Sequence, residues 1–279
     1  MKPRREVLLG VRGGVLSGLL AEPDGPSRGM VVALHGAAMS AAYFDAAGHD
    51  RSLLDAAARR GLSVLALDRP GYGASRACFP VGLGVLGQSD VVAEALHGLL
   101  GRASAGLAVY GHSFGGKVAL ALAARHPDLG VRRLETCGVG ERYAVPVEMV
   151  THHNARSAMH LHWGPVRNYP SGTFLHAARN ITQPFPAAER ADVPRWHRTL
   201  ADVAPGVTCP VHFSFAEHEG WWACTPYDRE QLRRRFPQAL VEDSFLAGAG
   251  HNVSLGLAAR AHHEAVLDRV LASCGPPTR

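Results

Sequence analysis

A short apolar run at 107–110 leads into Gly111-His112-Ser113-Phe114-Gly115, and after Gly116 an alanine- and leucine-rich stretch, 117–125, stops before Pro127. Glycines two places to either side of the serine let the backbone pass abruptly from extended to helical. Such a turn strains the serine and lifts its hydroxyl above the sheet to which the strand belongs. The helix after the turn offers unpaired N–H groups and the positive end of its dipole to any negative charge developing there. A chain built around this turn needs a sheet behind the serine and a helix beneath it.

The rest of the chain supplies both. Apolar, β-branched runs bounded by Gly, Pro and Asp alternate with segments of helical spacing. Residues 6–11 and 15–21 flank Arg12-Gly13-Gly14 and predict an antiparallel hairpin. Strands are predicted at Met30–Leu34, Ser63–Leu67, 107–110, Val131–Cys137, 211–215 and 239–246. Helices are predicted at 50–60, 88–100, 117–125 and 255–271, the first stopped by Gly61. Strands alternating with helices imply a mainly parallel sheet covered on both faces. Sheets of this kind place their chemistry at the carboxyl ends of the strands. His35-Gly36, 111–115, 216–219 and Gly250-His251 all fall there.

Residues 138–206 break the rhythm. They hold Pro146, Pro165, Pro170, Pro184, Pro186, Pro194 and Pro205, with Trp163, Tyr169, Phe174 and Trp196 among them. That stretch is too long for an ordinary loop. We expect one domain over 1–279 with an insertion, 140–206, folded as a largely helical lid.

Composition narrows the partners. With 47% hydrophobic and 19% charged residues, this is a globular chain. No apolar run nears the roughly 18 residues that span a bilayer. The basic start, Met1-Lys2-Pro3-Arg4-Arg5, looks like a signal n-region. However, Arg12, Gly13 and Gly14 cut the apolar stretch after it, and no small-residue cleavage site appears. Five scattered cysteines without a C-x-x-C pair argue against a disulfide framework. A cytoplasmic location is expected. Of 29 cationic residues, all but Lys2 and Lys117 are arginine. They are dispersed, apart from 132–133 and 233–235, so no nucleic-acid partner is expected. His152, His153, His160 and His162, with His176 further on, lack matching cysteines or carboxylates at ligand spacing, and no metal is expected.

The elbow at 111–115, together with Leu34-His35-Gly36-Ala37-Ala38, Asp68-Arg69-Pro70-Gly71-Tyr72-Gly73-Ala74-Ser75 and Ala249-Gly250-His251-Asn252, resembles the α/β-hydrolase superfamily along essentially the whole chain. The resemblance implies the α/β-hydrolase fold, an α/β architecture with a mainly parallel eight-stranded sheet flanked by helices. It implies Ser113 as nucleophile and an oxyanion hole formed by the N–H groups of Phe114 and Ala37. It also makes Asp68, Arg69, His35 and His112 structural supports.

A serine hydroxyl needs a base to remove its proton. His251 comes after Gly248 and Gly250, between a predicted strand and the last helix, and the order nucleophile, acid, histidine is the one this fold uses. The acid is open. Where the family carries G-x-x-D, this chain has Ala216-Glu217-His218-Glu219. Glu219 fits the spacing, Glu217 is its neighbour, and Glu141 occupies the place some lineages use after the preceding strand. Lys117, four residues beyond Ser113, is expected to point away from the hydroxyl and brace the elbow.

These residues predict a serine hydrolase that cleaves an ester or thioester through an acyl-enzyme on Ser113, with His251 as base and Glu219 holding its tautomer. No cofactor is expected. Trp163, Tyr169, Phe174 and Trp196 are expected to line a pocket for a small apolar acyl substrate, free or linked to a carrier protein or coenzyme A. The same three residues could serve an acyltransferase, eliminase or cyclase. A dehalogenase or epoxide hydrolase would need aspartate in place of Ser113. A binding protein that merely reuses the fold is the rival outside enzymology.

Overall fold

The structure, a computed structural model, describes residues 2–45, 50–100, 106–152 and 158–274. Eight strands form one sheet: β1 (Arg5–Val11), β2 (Gly14–Ala21), β3 (Met30–Leu34), β4 (Ser63–Leu67), β5 (Leu107–His112), β6 (Val131–Cys137), β7 (Val211–His218) and β8 (Val241–Gly250). Their order is β1-β2-β4-β3-β5-β6-β7-β8. The opening hairpin pairs Arg5 with Leu20 antiparallel, and β2 joins β4 antiparallel. From β4 through β3, β5, β6 and β7 to β8 every pairing is parallel.

The central strands read as unbroken apolar runs because both faces of the sheet are covered. Every residue of β4 and β5 is buried. Along β3, Val32 and Leu34 face one core while Val31 and Ala33 face the other, the two-residue alternation of a pleated strand. One face is covered by α1 (Leu53–Arg59) and α10 (Ala259–Ser273), the other by α2 (Val85–Leu100) and α3 (Phe114–Arg125). Ser52 caps α1 by accepting the Asp55 N–H at 3.2 Å, which satisfies one of the orphan donors of the first turn. In α3 every residue from Phe114 to Ala123 is buried, so its alanines are a packing requirement.

Between β6 and β7 lie α4 (Val147–His152), α5 (Met159–Trp163), α6 (Thr173–Asn180), α7 (Ala187–Asp192) and α8 (Trp196–Val203). After β7 comes α9 (Pro226–Arg234), opened by a capping box between Thr225 and Asp228. No helix among the described residues is long and apolar enough to cross a membrane. His153 lies outside the described residues.

One expectation about β8 changes. The strand predicted at 239–246 instead runs as β8 from Val241 to Gly250, which pairs with His218 across an irregularity in register. His251 therefore leaves the end of a paired strand and is 4% exposed.

Candidate active site

Ser113 sits between β5 and α3 at φ 52°, ψ −120°, a backbone state that L side chains rarely occupy. Its N–H donates to the Cys137 carbonyl at 2.8 Å, which ties the turn to β6. Gly115 is needed because a Cβ there would strike the Leu34 carbonyl oxygen. The spacing alone does not select this serine. Gly25-Pro26-Ser27-Arg28-Gly29 has the same pattern but precedes a strand, and its Ser27 Oγ donates to the Gly29 carbonyl at 2.7 Å.

The structure brings Ser113, His251 and Glu219 together from three strand ends. His251 Nε2 lies 3.0 Å from Ser113 Oγ, and its Nδ1 lies 2.9 and 3.0 Å from the two Glu219 carboxylate oxygens. A carboxylate can only accept, so Nδ1 carries a proton and Nε2 of the neutral ring is left as the acceptor facing the hydroxyl. The Glu219 side chain has no solvent exposure. Its Oε1 also accepts the Trp221 N–H at 2.9 Å, which fixes the carboxylate on its loop. Gly138 passes behind the imidazole at φ 65°, and a Cβ there would lie 2.8 Å from His251 Cε1.

The other two acid candidates are occupied elsewhere. Glu217 accepts the Gly248 N–H at 2.7 Å, and Glu141 accepts from Arg235 Nε at 3.0 Å.

Each of the supports predicted from sequence is held by its own partners. Arg69 has no exposure; its Nε donates to the His35 carbonyl at 2.7 Å and its Nη2 to the Gly36 carbonyl at 3.0 Å. The Arg69 N–H donates to His35 Nε2 at 3.2 Å, so the His35 ring is neutral with its proton on Nδ1, which donates to the Gly36 carbonyl at 2.8 Å. Burial pushes the His35 pKa well below the ordinary value, with the Arg69 charge adding to it. Asp68 accepts from Ala41 N–H and Ser17 Oγ, each at 2.7 Å. His112 Nε2 donates to the His251 carbonyl at 2.9 Å, and its ring stacks on Tyr43. The Ala38 N–H is taken by Tyr72 Oη at 2.9 Å. Ala37 and Phe114 both border the cavity in front of Ser113.

That cavity holds about 370 Å³ and is also lined by Trp163, Trp221, Trp222, Tyr143 and Lys117. Of the four aromatics expected on its wall, Trp163 is there. Tyr169 and Phe174 stand behind it, with ring centroids 5.1 and 4.9 Å from Trp163. Trp196 is 1% exposed and donates Nε1–H to the Gly140 carbonyl at 2.7 Å, so it packs the insertion onto the sheet instead. Tyr143, Trp221, Trp222, Lys117 and Arg190 are among the wall residues that sequence reasoning missed. Trp221-Trp222 had one available signal, since they come almost directly after Glu219.

The sequence model of the alpha/beta hydrolase family matches residues 31–274. The chain belongs to the alpha/beta hydrolase family. No curated protein sequence matches it. This alpha/beta hydrolase is similar in fold to a soluble variant of monoglyceride lipase from Saccharomyces cerevisiae, with a TM-score of 0.72 at 14% identity over 99% of this chain and 97% of that one. It is also similar to an enol-lactonase from Burkholderia xenovorans, with a TM-score of 0.69 at 18% identity over 96% and 99% of the two chains. A thioesterase domain from the curacin biosynthetic pathway gives a TM-score of 0.65 at 16% identity over 97% and 100%.

Proposed function

We propose that this alpha/beta hydrolase cleaves a carboxylic ester or thioester through an acyl-enzyme on Ser113. The observation that carries the reading is the continuous contact from Glu219 through both nitrogens of His251 to Ser113 Oγ. Ser113 Oγ–H donates to Nε2, which takes the proton as Oγ attacks the carbonyl carbon. Glu219 holds the proton on Nδ1 and balances the imidazolium that forms. The oxyanion accepts from the N–H groups of Ala37 and Phe114, each such donor being worth on the order of 3 kcal/mol. His251 then returns its proton to the leaving oxygen or sulfur. Water, activated by the same imidazole, releases the acyl group and restores Ser113. The insertion acts as a lid: Met159, His162 and Trp163 of α5 and Arg190 of α7 complete the cavity roof.

The test is labelling by a fluorophosphonate probe, then a panel of acyl esters and thioesters. Wild-type protein should be labelled and Ser113→Ala should not. No labelling of wild type that is folded by circular dichroism overturns the reading.

A further inference from the structure

Lys117 shares the chain with just one other lysine, Lys2, and it is 3% exposed. It stands one helical turn beyond Ser113, on the same face of α3. Long side chains on a helix lean toward its N-terminus, which here means toward the nucleophile. Lys117 borders the same cavity as Ser113, and its Nζ turns to Tyr143 Oη.

Its surroundings do not satisfy an ammonium. Nζ donates to Tyr143 Oη at 2.6 Å and otherwise faces rings, with Phe114, Tyr143, Trp196 and Trp222 centroids 5.1–5.3 Å away. Aromatic faces attract the charge but accept none of its remaining N–H bonds well. Among the described residues it has no ion-pair partner. The acidic groups whose charge reaches it, Asp192 and Glu189, form no ion pair with it: Asp192 accepts the Val85 N–H and Glu189 pairs with Arg69 Nη1. Burial pushes the ammonium pKa down to about 7. Arg190 stands on the same wall, and no described carboxylate does. A buried cation without an anion is costly, and an enclosed site with such a cation on its wall invites the missing anion as part of its ligand.

We propose that the acyl group accepted here bears a carboxylate, and that Lys117 binds this carboxylate while Ser113 attacks the ester or thioester carbonyl. The proposal rests on the reading of Ser113 as nucleophile. A carboxylate suits the site better than a phosphate dianion, because Lys117 and Arg190, whose Nη1 already donates to the Thr151 carbonyl, supply few free donors beside apolar walls. Lys117 then determines specificity for an α,ω-dicarboxylate monoester or a close relative, and Trp163, Trp221 and Trp222 hold the methylenes between the two ends.

The experiment compares monoethyl esters of dicarboxylic acids, from succinic to suberic, with ethyl esters of fatty acids of equal length. At one chain length the carboxylate-bearing ester should have the higher kcat/KM by about tenfold or more, chiefly through KM. Lys117→Met should erase that ratio. In parallel, Ser113→Ala, which keeps Lys117, should bind the monoethyl ester of that length at least about tenfold more tightly than the diethyl ester by calorimetry. A wild-type protein that is labelled by fluorophosphonate yet never prefers the carboxylate overturns this inference alone. So does a preference that survives Lys117→Met. Failure of labelling instead overturns the hydrolase reading. The binding comparison still decides the inference then, and also if Lys117→Met does not fold.

Discussion

Arg69 and Glu189, neither with any solvent exposure, form an ion pair of 2.6 Å that joins the turn after β4 to α7 of the insertion. Tyr72 Oη donates to the same carboxylate at 2.9 Å, and Gln88 Nε2 donates to it at 2.8 Å. Because Arg69 also holds the His35 and Gly36 carbonyls, the insertion and the loop carrying Ala37 are mechanically coupled. Glu189→Gln leaves the guanidinium buried without its counter-charge. It should lower stability by about 3–5 kcal/mol. At a temperature where the variant is still folded, fluorophosphonate labelling of Ser113 should be slower than in wild type. Unchanged labelling would show that the pair anchors the insertion without reaching the oxyanion loop.

Glu219→Gln should leave the protein folded and cut kcat by up to about 10⁴, the loss seen when an amide replaces a triad carboxylate. The amide can present its NH₂ to Nδ1 and stabilise the wrong tautomer, and it cannot balance an imidazolium. Glu217→Gln and Glu141→Gln should cost far less, since their carboxylates are held by Gly248 and Arg235. Steady-state rates of the three variants on one good ester decide the matter. A crippled Glu141→Gln beside an active Glu219→Gln would falsify the assignment.

The aromatics of the insertion should divide by position. Trp163→Ala opens the cavity wall and should raise KM for long acyl esters roughly tenfold more than for acetate, given the apolar area lost. Trp196→Ala empties a fully packed site and should cost about 3–5 kcal/mol in stability with little selectivity change. Acyl-chain profiles together with urea unfolding separate the two. A selectivity change in Trp196→Ala as large as that in Trp163→Ala would contradict the division.

Buried histidines should make the fold acid-labile. Burial is the main cause that pushes His35, His112 and His262 well below the ordinary value, and His212 and His263 to about 4. These rings are neutral when folded but protonate near pH 6.5 when unfolded. Their contribution is thus complete above about pH 6.5 and is lost as the pH falls toward the folded values. Each costs about 1.4 kcal/mol per pH unit in that window. Against a total stability of about 5–15 kcal/mol, unfolding is expected between about pH 4 and 5. Urea midpoints that stay level from pH 7 to 5 would contradict this. Lys117 also has a depressed folded value, but in a higher window. Its penalty grows as the pH drops from its ordinary 10.5 to about 7, so Lys117→Met should gain stability over wild type across that range.

Apart from α9 (Pro226–Arg234), which the sequence reading does not predict, the order of strands and helices is legible in the sequence. A sheet covered on both faces demands continuous apolar runs such as Ser63–Leu67, and the turn at Ser113 demands glycine where neighbouring backbone leaves no room. His251 and Glu219 could be nominated because both fall at strand carboxyl ends, which a parallel sheet gathers at one edge. Which of three glutamates lies against His251 is decided only by the tertiary structure. Glu141, Glu217 and Glu219 are chemically alike, and they differ only in which donors the folded chain brings to them. The same holds for the cavity wall. Trp163 and Trp196 read alike in sequence, yet one borders open space and the other is sealed against Gly140. Lys117 was visible as one turn beyond Ser113, but that no described residue forms an ion pair with it is a property of all the elements packed around it. Local sequence sets backbone conformation through sterics and periodicity, whereas burial, pairing and cavity shape depend on residues far apart in the chain, and these only the folded protein brings together.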